Sequence, residues 1–142
     1  MSEPNQLQIQ QLWLSILIIF PHLFLPTLGD LGTASHYRPP YTPTACFGND
    51  PTQFPSSGFF AAAGEGIWDN GASCGRQYLV KCISGPLKIT CTSDTIQVRI
   101  VDRAQTSVSR PSKTGTSIVL SNAAFGAIAN PSVASINLEF QQ

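Results

Sequence analysis

At 142 residues the chain has room for one domain and little more. Its eight basic and eight acidic side chains cancel, which excludes a nucleic-acid binder, because phosphate neutralisation needs a clustered surplus of Lys and Arg. No run of like charge occurs anywhere, so an electrostatic membrane patch is excluded as well.

In chain order, the first thirty residues stand apart. Met1 to Gln11 is mostly polar, and Leu12 to Leu25 is almost wholly apolar, interrupted by Ser15, Pro21 and His22. That run is shorter than the roughly 20 residues of a membrane-crossing helix and has the form of a secretory signal's apolar region. Thr27-Leu28-Gly29 follows, with small residues three and one positions before a cut after Gly29. The leader is atypical in carrying Glu3 and no Lys or Arg, and a buried core helix or an uncleaved anchor is the competing reading. The expectation is a signal peptide over 1–29, a domain over 30–142, secretion, and no membrane insertion once the signal is removed.

Removing 1–29 leaves seven acids against eight bases. A domain of this size buries only about 65% of its unfolded surface, so covalent staples would help it. Cys46, Cys74, Cys82 and Cys91 all lie in this part. An even count in a small secreted domain reads as two disulfides, with three connectivities open. There is no Cys-x-x-Cys pair, and His36 is the only histidine beyond residue 29. Neither a metal nor another cofactor is expected, and with no cysteine left over neither is a thiol nucleophile.

From Gly32 onward, period-two alternation replaces helical periodicity. Pro39 to Pro43 and Asp50 to Ser57 read as extended surface loops. Gln77 to Ser84, Leu87 to Thr92, Thr95 to Asp102, Thr116 to Leu120 and Ala134 to Phe140 read as strands, with Ser84-Gly85-Pro86 as a turn between the first two. Ile96, Val98 and Ile100 share one face, as do Ile136, Leu138 and Phe140. Ser121 is placed to cap a helix over Asn122 to Ala129, with Phe125 and Ile128 on its buried face and Asn130-Pro131 ending it. Six or so short strands, one helix and two bridges predict an all-β fold, a small closed barrel that leaves no exposed edge.

Several segments in this order form a recognisable set: Gly32-Thr33-Ala34-Ser35-His36-Tyr37, Ala45-Cys46-Phe47-Gly48, Gly66-Ile67-Trp68-Asp69-Asn70-Gly71-Ala72-Ser73-Cys74-Gly75-Arg76, Val98-Arg99-Ile100-Val101-Asp102-Arg103, and Leu120-Ser121-Asn122-Ala123-Ala124-Phe125 before a C-terminal strand. Together they resemble the plant natriuretic peptides and the endoglucanase-45-like domain proteins, which group with the expansin N-terminal domain, barwin and family-45 endoglucanases. The resemblance covers essentially the whole chain after residue 29, and the Trp68 to Arg76 block with the Cys74–Cys82 spacing is its specific part. It implies a six-stranded double-psi β-barrel, secreted to the apoplast, with Cys46 paired to Cys74 and Cys82 to Cys91; a monomer is expected.

The chain departs from that family twice. Relatives usually carry a cysteine after the Val-Asp-Arg segment, bridged to another about ten residues on; here Ala104 stands in its place and Gln105 to Lys113 holds no cysteine, so the loop 104–114 should be looser. Relatives also often read Asp-Leu-Ser before the helix, and that Asp matches the catalytic or wall-active acid of endoglucanases and expansins. Here the position is Val119.

Glycoside hydrolysis needs two carboxyl groups across the scissile bond. Asp102 is the one suggestive acid: continuing the Ile96, Val98, Ile100 face, it would sit at the barrel mouth, partly desolvated, with the raised pKa of a general acid. The plainer alternative is a carboxylate accepting backbone or Arg hydrogen bonds at a strand end. Asp69 is most simply turn chemistry, and nothing places His36, Asp102 and a serine together as a triad. With Val119 in the second position the chain is not expected to be an enzyme; a lytic transglycosylase with Asp102 as sole acid is the one enzymatic reading left.

Two binding roles compete. A sugar groove stacks pyranose rings on aromatic faces, and among Tyr37, Tyr41, Phe47, Phe59, Phe60, Trp68 and Tyr78, the resemblance puts Tyr37 and Trp68 near the groove with Asp102. The alternative for Trp68 and Tyr78 is packing beside the bridges. With no second β-domain before Gln142, wall attachment should be weak. The natriuretic resemblance implies an extracellular signal in water and ion balance, with activity in the segment from Pro40 to Arg76. Its receptor-facing candidates are Tyr41, Phe47, Trp68, Asn70 and Arg76, and its middle, Asn49 to Phe59, reads as a polar loop no core requires. The expected partner is a plasma-membrane receptor or a cell-wall polysaccharide.

Overall fold

The structure, a computed structural model, describes residues 5–19, 29–104 and 116–142. Helix α1 (Gln6–Ile19) carries exposed side chains throughout residues 5–14, with Leu12 63% and Trp13 65% accessible. That excludes a buried core helix for this part. No helix among the described residues is long and apolar enough to cross a membrane. The rest of the apolar run and most of the expected cleavage region, residues 20–28, lie outside the described residues, as do residues 105–115, which include all but Ala104 of the loop expected to be loose.

The remainder folds around six strands: β1 (Asp30–Tyr37), β2 (Phe60–Ala63), β3 (Gln77–Ser84), β4 (Thr95–Arg103), β5 (Ile118–Ser121) and β6 (Ser135–Gln141), with helices α2 (Glu65–Trp68) and α3 (Asn122–Ile128). They close into a barrel in the order β1-β5-β2-β4-β3-β6. The pairs β1–β5 and β2–β4 are parallel and the other four antiparallel. Closure satisfies every strand edge within the sheet.

Alternation along the strands sorts side chains into two apolar groups. Ala34, Val80, Val98, Ile100, Ile118, Leu120, Ile136 and Leu138 fill the barrel, and Phe125 and Ile128 of α3 close one end. Ser121 caps α3 as expected, its Oγ accepting from the Ala124 amide at 3.2 Å while donating to the Gly58 carbonyl. The second group, Tyr37, Phe60, Ala62, Val101, Ala104 and Val119, points the other way, with Tyr41, Phe47 and Phe54 packed against it. The barrel wall therefore has a covered outer face. Cys46 bonds Cys74, pinning that cover to the chain beyond α2, and Cys82 bonds Cys91, with Cα separations of 5.4 and 5.3 Å. These are the pairings the resemblance implied.

Several expectations are corrected. Leu87 to Thr92 is not a strand but a turn with one isolated bridge, Cys91 to Ala129. Thr90 Oγ1 accepts from the Leu87 amide and donates to its carbonyl, and Leu87 and Ile89 point outward, Ile89 81% exposed. A short apolar run without a neighbour to pair with cannot stay extended. Conversely, β2 went unmarked by alternation because Phe-Ala-Ala-Ala is buried on both faces and alanine is a poor strand former. Gly64 ends it where a Cβ would collide with the Thr116 carbonyl, so no other residue fits there. The Asn49 to Phe59 loop is not free of the core: Phe54 meets Phe60 edge to face at 4.7 Å.

Candidate functional site: a closed rank beneath an aromatic cover

Strand register sets one row of residues side by side on the covered face. Ser35 pairs with Val119, Val119 with Ala62, and Ala62 with Asp102. A bulge makes this row: Ala61 pairs with Ile100 but Ala62 with Asp102, so Val101 is the extra residue. One inserted residue changes which face the following residues join. Asp102 consequently leaves the barrel-facing series of Val98 and Ile100 and lines up with Ala62 and Val119 of the outer group. It does not stand at an open barrel mouth; it is 0% exposed. Its Oδ1 accepts from the Ala45 amide, on the covering segment, and from the Arg103 amide, both at 2.8 Å. This is the strand-end acceptor role of the plainer alternative.

Tyr37 is likewise 0% exposed and offers no face for a sugar to stack on. Tyr41 lies edge-on to it at 4.9 Å and edge-on to Phe60 at 4.7 Å. The Tyr41 hydroxyl donates to the Tyr37 carbonyl and accepts from the Asn122 amide, each at 3.2 Å, so it stitches the cover to β1 and α3. The Tyr37 hydroxyl and Ser35 Oγ are buried without a hydrogen-bond partner among the described residues. Burial first, then the Asp102 charge and Tyr41, hold the Tyr37 phenol well above its ordinary pKa.

Val119 is fully buried in this row. An acid there would stand two strand spacings from Asp102, about 9–10 Å, near the wide end of the separation inverting glycosidases use. With valine the row holds one carboxyl.

The remaining candidates scatter. Trp68 is half-buried against the barrel contents, with the Arg103 guanidinium 5.7 Å over its ring. Arg103 in turn makes a two-pronged pair with Glu65 at 2.8 and 3.0 Å, which holds the Glu65 carboxyl below its usual range. Phe47 lies under Arg99 at 5.5 Å. Asp69, Asn70 and Gly71 all have positive φ, at 55, 50 and 91°, as a tight turn requires. The exposed Asp69 carboxylate pairs with Arg76 at 2.8 Å. Tyr78 belongs to the barrel interior against Phe140. His36 and Tyr37 are strand neighbours and point to opposite faces. His36 stacks on Phe125 while Tyr37 sits in the Asp102 group, so no triad forms. Ser35 and the register slip were not legible beforehand, because a bulge leaves no mark in the alternation of Ile96, Val98 and Ile100.

A barrel of this topology with two parallel pairs and a covered outer face is a double-psi β-barrel of the expansin-like class. An apo expansin from Clavibacter michiganensis superposes with a TM-score of 0.57 at 19% identity, covering 80% of this chain and 50% of its own. A mutant of that expansin, solved in complex with cellohexaose, gives 0.58 over the same shares. The present chain thus spans half the length of those expansins. The family model described as lytic transglycolase matches residues 61–140. An EG45-like domain containing protein of Citrus jambhiri is 39% identical over 116 residues, 78% of this chain and 79% of that one. EG45-like domain containing protein 2 of Arabidopsis thaliana is 32% identical over 90 residues, 61% of this chain and 65% of its own. The chain belongs to the EG45-like, expansin-related double-psi barrel family.

Proposed function

We propose that the protein is secreted after removal of residues 1–29 and acts, without hydrolysing anything, as an apoplastic recognition protein of the natriuretic-peptide type in water and ion homeostasis and stress response. The observation that carries the non-hydrolytic part is the row Ser35–Val119–Ala62–Asp102, where valine occupies the position of the second acid and the single carboxyl is engaged by two backbone amides. The same engagement weighs against the family description's chemistry with Asp102 as sole acid. The recognition surface is the cover from Pro40 to Arg76, pinned by Cys46–Cys74 and buttressed by Tyr41 and Phe54 on Phe60. Recognition commonly resides on exposed loops of a rigid scaffold.

This segment includes β2, hydrogen-bonded between β4 and β5. As an isolated peptide it loses both neighbours. The test is saturation binding of labelled full chain to wall-free plant cells. The reading expects saturable binding, displaced by unlabelled full chain at a concentration about tenfold lower than by a Pro40–Arg76 peptide. Absence of saturable binding sinks it. The second reading, a non-hydrolytic cell-wall polysaccharide binder, is favoured by the cellohexaose complex of the Clavibacter expansin mutant. It expects calorimetric binding of cellohexaose to the full chain, and no heat at millimolar sugar would remove it.

A further inference from the structure

Across β1 from the Asp102 row, His36, Arg38, Pro39, Asn122, Phe125 and Pro131 line an open cleft of about 530 Å³. That is the size of small-molecule sites, roughly 300–1,000 Å³. The cleft forms where the chain leaves β1, where α3 begins, and where the turn after α3 returns toward β6.

Its polar groups are held in place. The His36 ring packs on Phe125 with centroids 4.3 Å apart. Nε2 lies 3.1 Å from the Val133 carbonyl, which only accepts, so Nε2 carries the proton in that contact. Nδ1 lies 3.3 Å from the Asn122 side-chain oxygen, so the ring and the amide hold each other in place. The side-chain nitrogen of Asn122 is left for the cleft. Arg38 is exposed and makes no hydrogen bond or ion pair with any described residue. Pro39, Pro131 and the Phe125 edge supply apolar surface, and among the described residues no carboxylate lines the space.

We propose that this cleft binds an acidic pyranose, a uronate unit of an oligosaccharide. The carboxylate takes the Arg38 guanidinium in a two-pronged bond, the C–H face of the ring lies against the prolines, and the hydroxyls bond the Asn122 amide. A neutral sugar would leave the cation unused. A small acyclic carboxylate would leave the amide and the apolar walls unused. The inference goes beyond the receptor reading and uses none of the cover's candidate residues.

Calorimetric titration of the full chain with trigalacturonate, cellotriose and succinate tests it. The uronate trimer should bind about tenfold more tightly than either other probe, and more weakly as salt rises from about 0.02 to 0.2 M. Arg38→Gln should abolish that tenfold preference, while Lys88→Gln, at an exposed cation that does not line the cleft, leaves it intact. Equal affinities for the three probes, no binding of the trimer, or equal losses in the two variants would overturn the proposal. Succinate matching the trimer would overturn its sugar part. Cell-surface binding by Arg38→Gln separates the two readings: the receptor reading expects it unchanged.

Discussion

The row containing Val119 makes a sharp prediction about Val119→Asp. Valine there is 0% exposed, so replacing it removes about 1.5–3 kcal/mol of apolar burial. The new carboxylate would face Asp102 across about 9.6 Å, and at an effective dielectric of 20 this repulsion costs about 1.7 kcal/mol. The total is about 3–5 kcal/mol at pH 7. Val119→Asn, of the same size and uncharged, should pay the first part alone, and the difference between the two variants isolates the charge. Burial and a like charge raise the folded-state pKa of the introduced acid above its unfolded value of about 3.9. The folded state then binds the proton more tightly, so the penalty specific to Asp is absent at low pH and develops as pH rises from about 4 through the folded pKa. Urea unfolding of both variants between pH 3.5 and about 7.5 reads this directly. The two should converge at the acid end and separate by about 1–2 kcal/mol at the neutral end. Parallel curves, or an Asp variant as stable as the parent at pH 7, would refute the arrangement of position 119 in a dry row beside Asp102.

Tyr37→Phe removes a buried hydroxyl that has no hydrogen-bond partner among the described residues, so it should cost almost nothing or stabilise slightly. Because the Tyr37 phenol is raised in the folded state, the parent should lose stability as pH climbs past about 10, where the unfolded tyrosine ionises. The Phe variant should show a flatter alkaline limb in urea midpoints. Replacing Cys46 and Cys74 by Ala opens a loop of sequence separation 28, and replacing Cys82 and Cys91 opens one of 9. The chain-entropy relation gives losses of about 3.6 and about 2.7 kcal/mol, and denaturant titration should find the first variant the weaker. Ser121→Ala takes away both the α3 cap and the bond to the Gly58 carbonyl, so it should cost about 1–2 kcal/mol, measured by thermal unfolding.

What the sequence determined by itself was local. The alternation of Ile96, Val98 and Ile100 and of Ile136, Leu138 and Phe140 defined β4 and β6, because a half-buried strand must repeat every two residues. Ser121 and Asn130-Pro131 bounded α3 within a residue, because capping and proline act over a few bonds. The resemblance supplied the disulfide pairing, which spacing alone left open among three connectivities, and the double-psi form of the barrel that the short strands had suggested. Tertiary structure decided the rest. Leu87 to Thr92 reads as a strand, yet the Cys82–Cys91 bridge and the Thr90 bonds make it a turn. Phe60 to Ala63 reads as nothing in particular, yet it lies at the centre of the wall because both of its faces are buried. Asp102 follows the barrel-facing residues in sequence but joins the outer group in space, since one bulged residue at Val101 shifts its register against β2. Likewise, the pairing of Ser35 with Val119 and the meeting of Arg38 with Asn122 join positions more than eighty residues apart. Chain neighbours set the period of a strand, but the strand beside it sets which face each side chain reaches, and that neighbour is fixed only when the barrel closes.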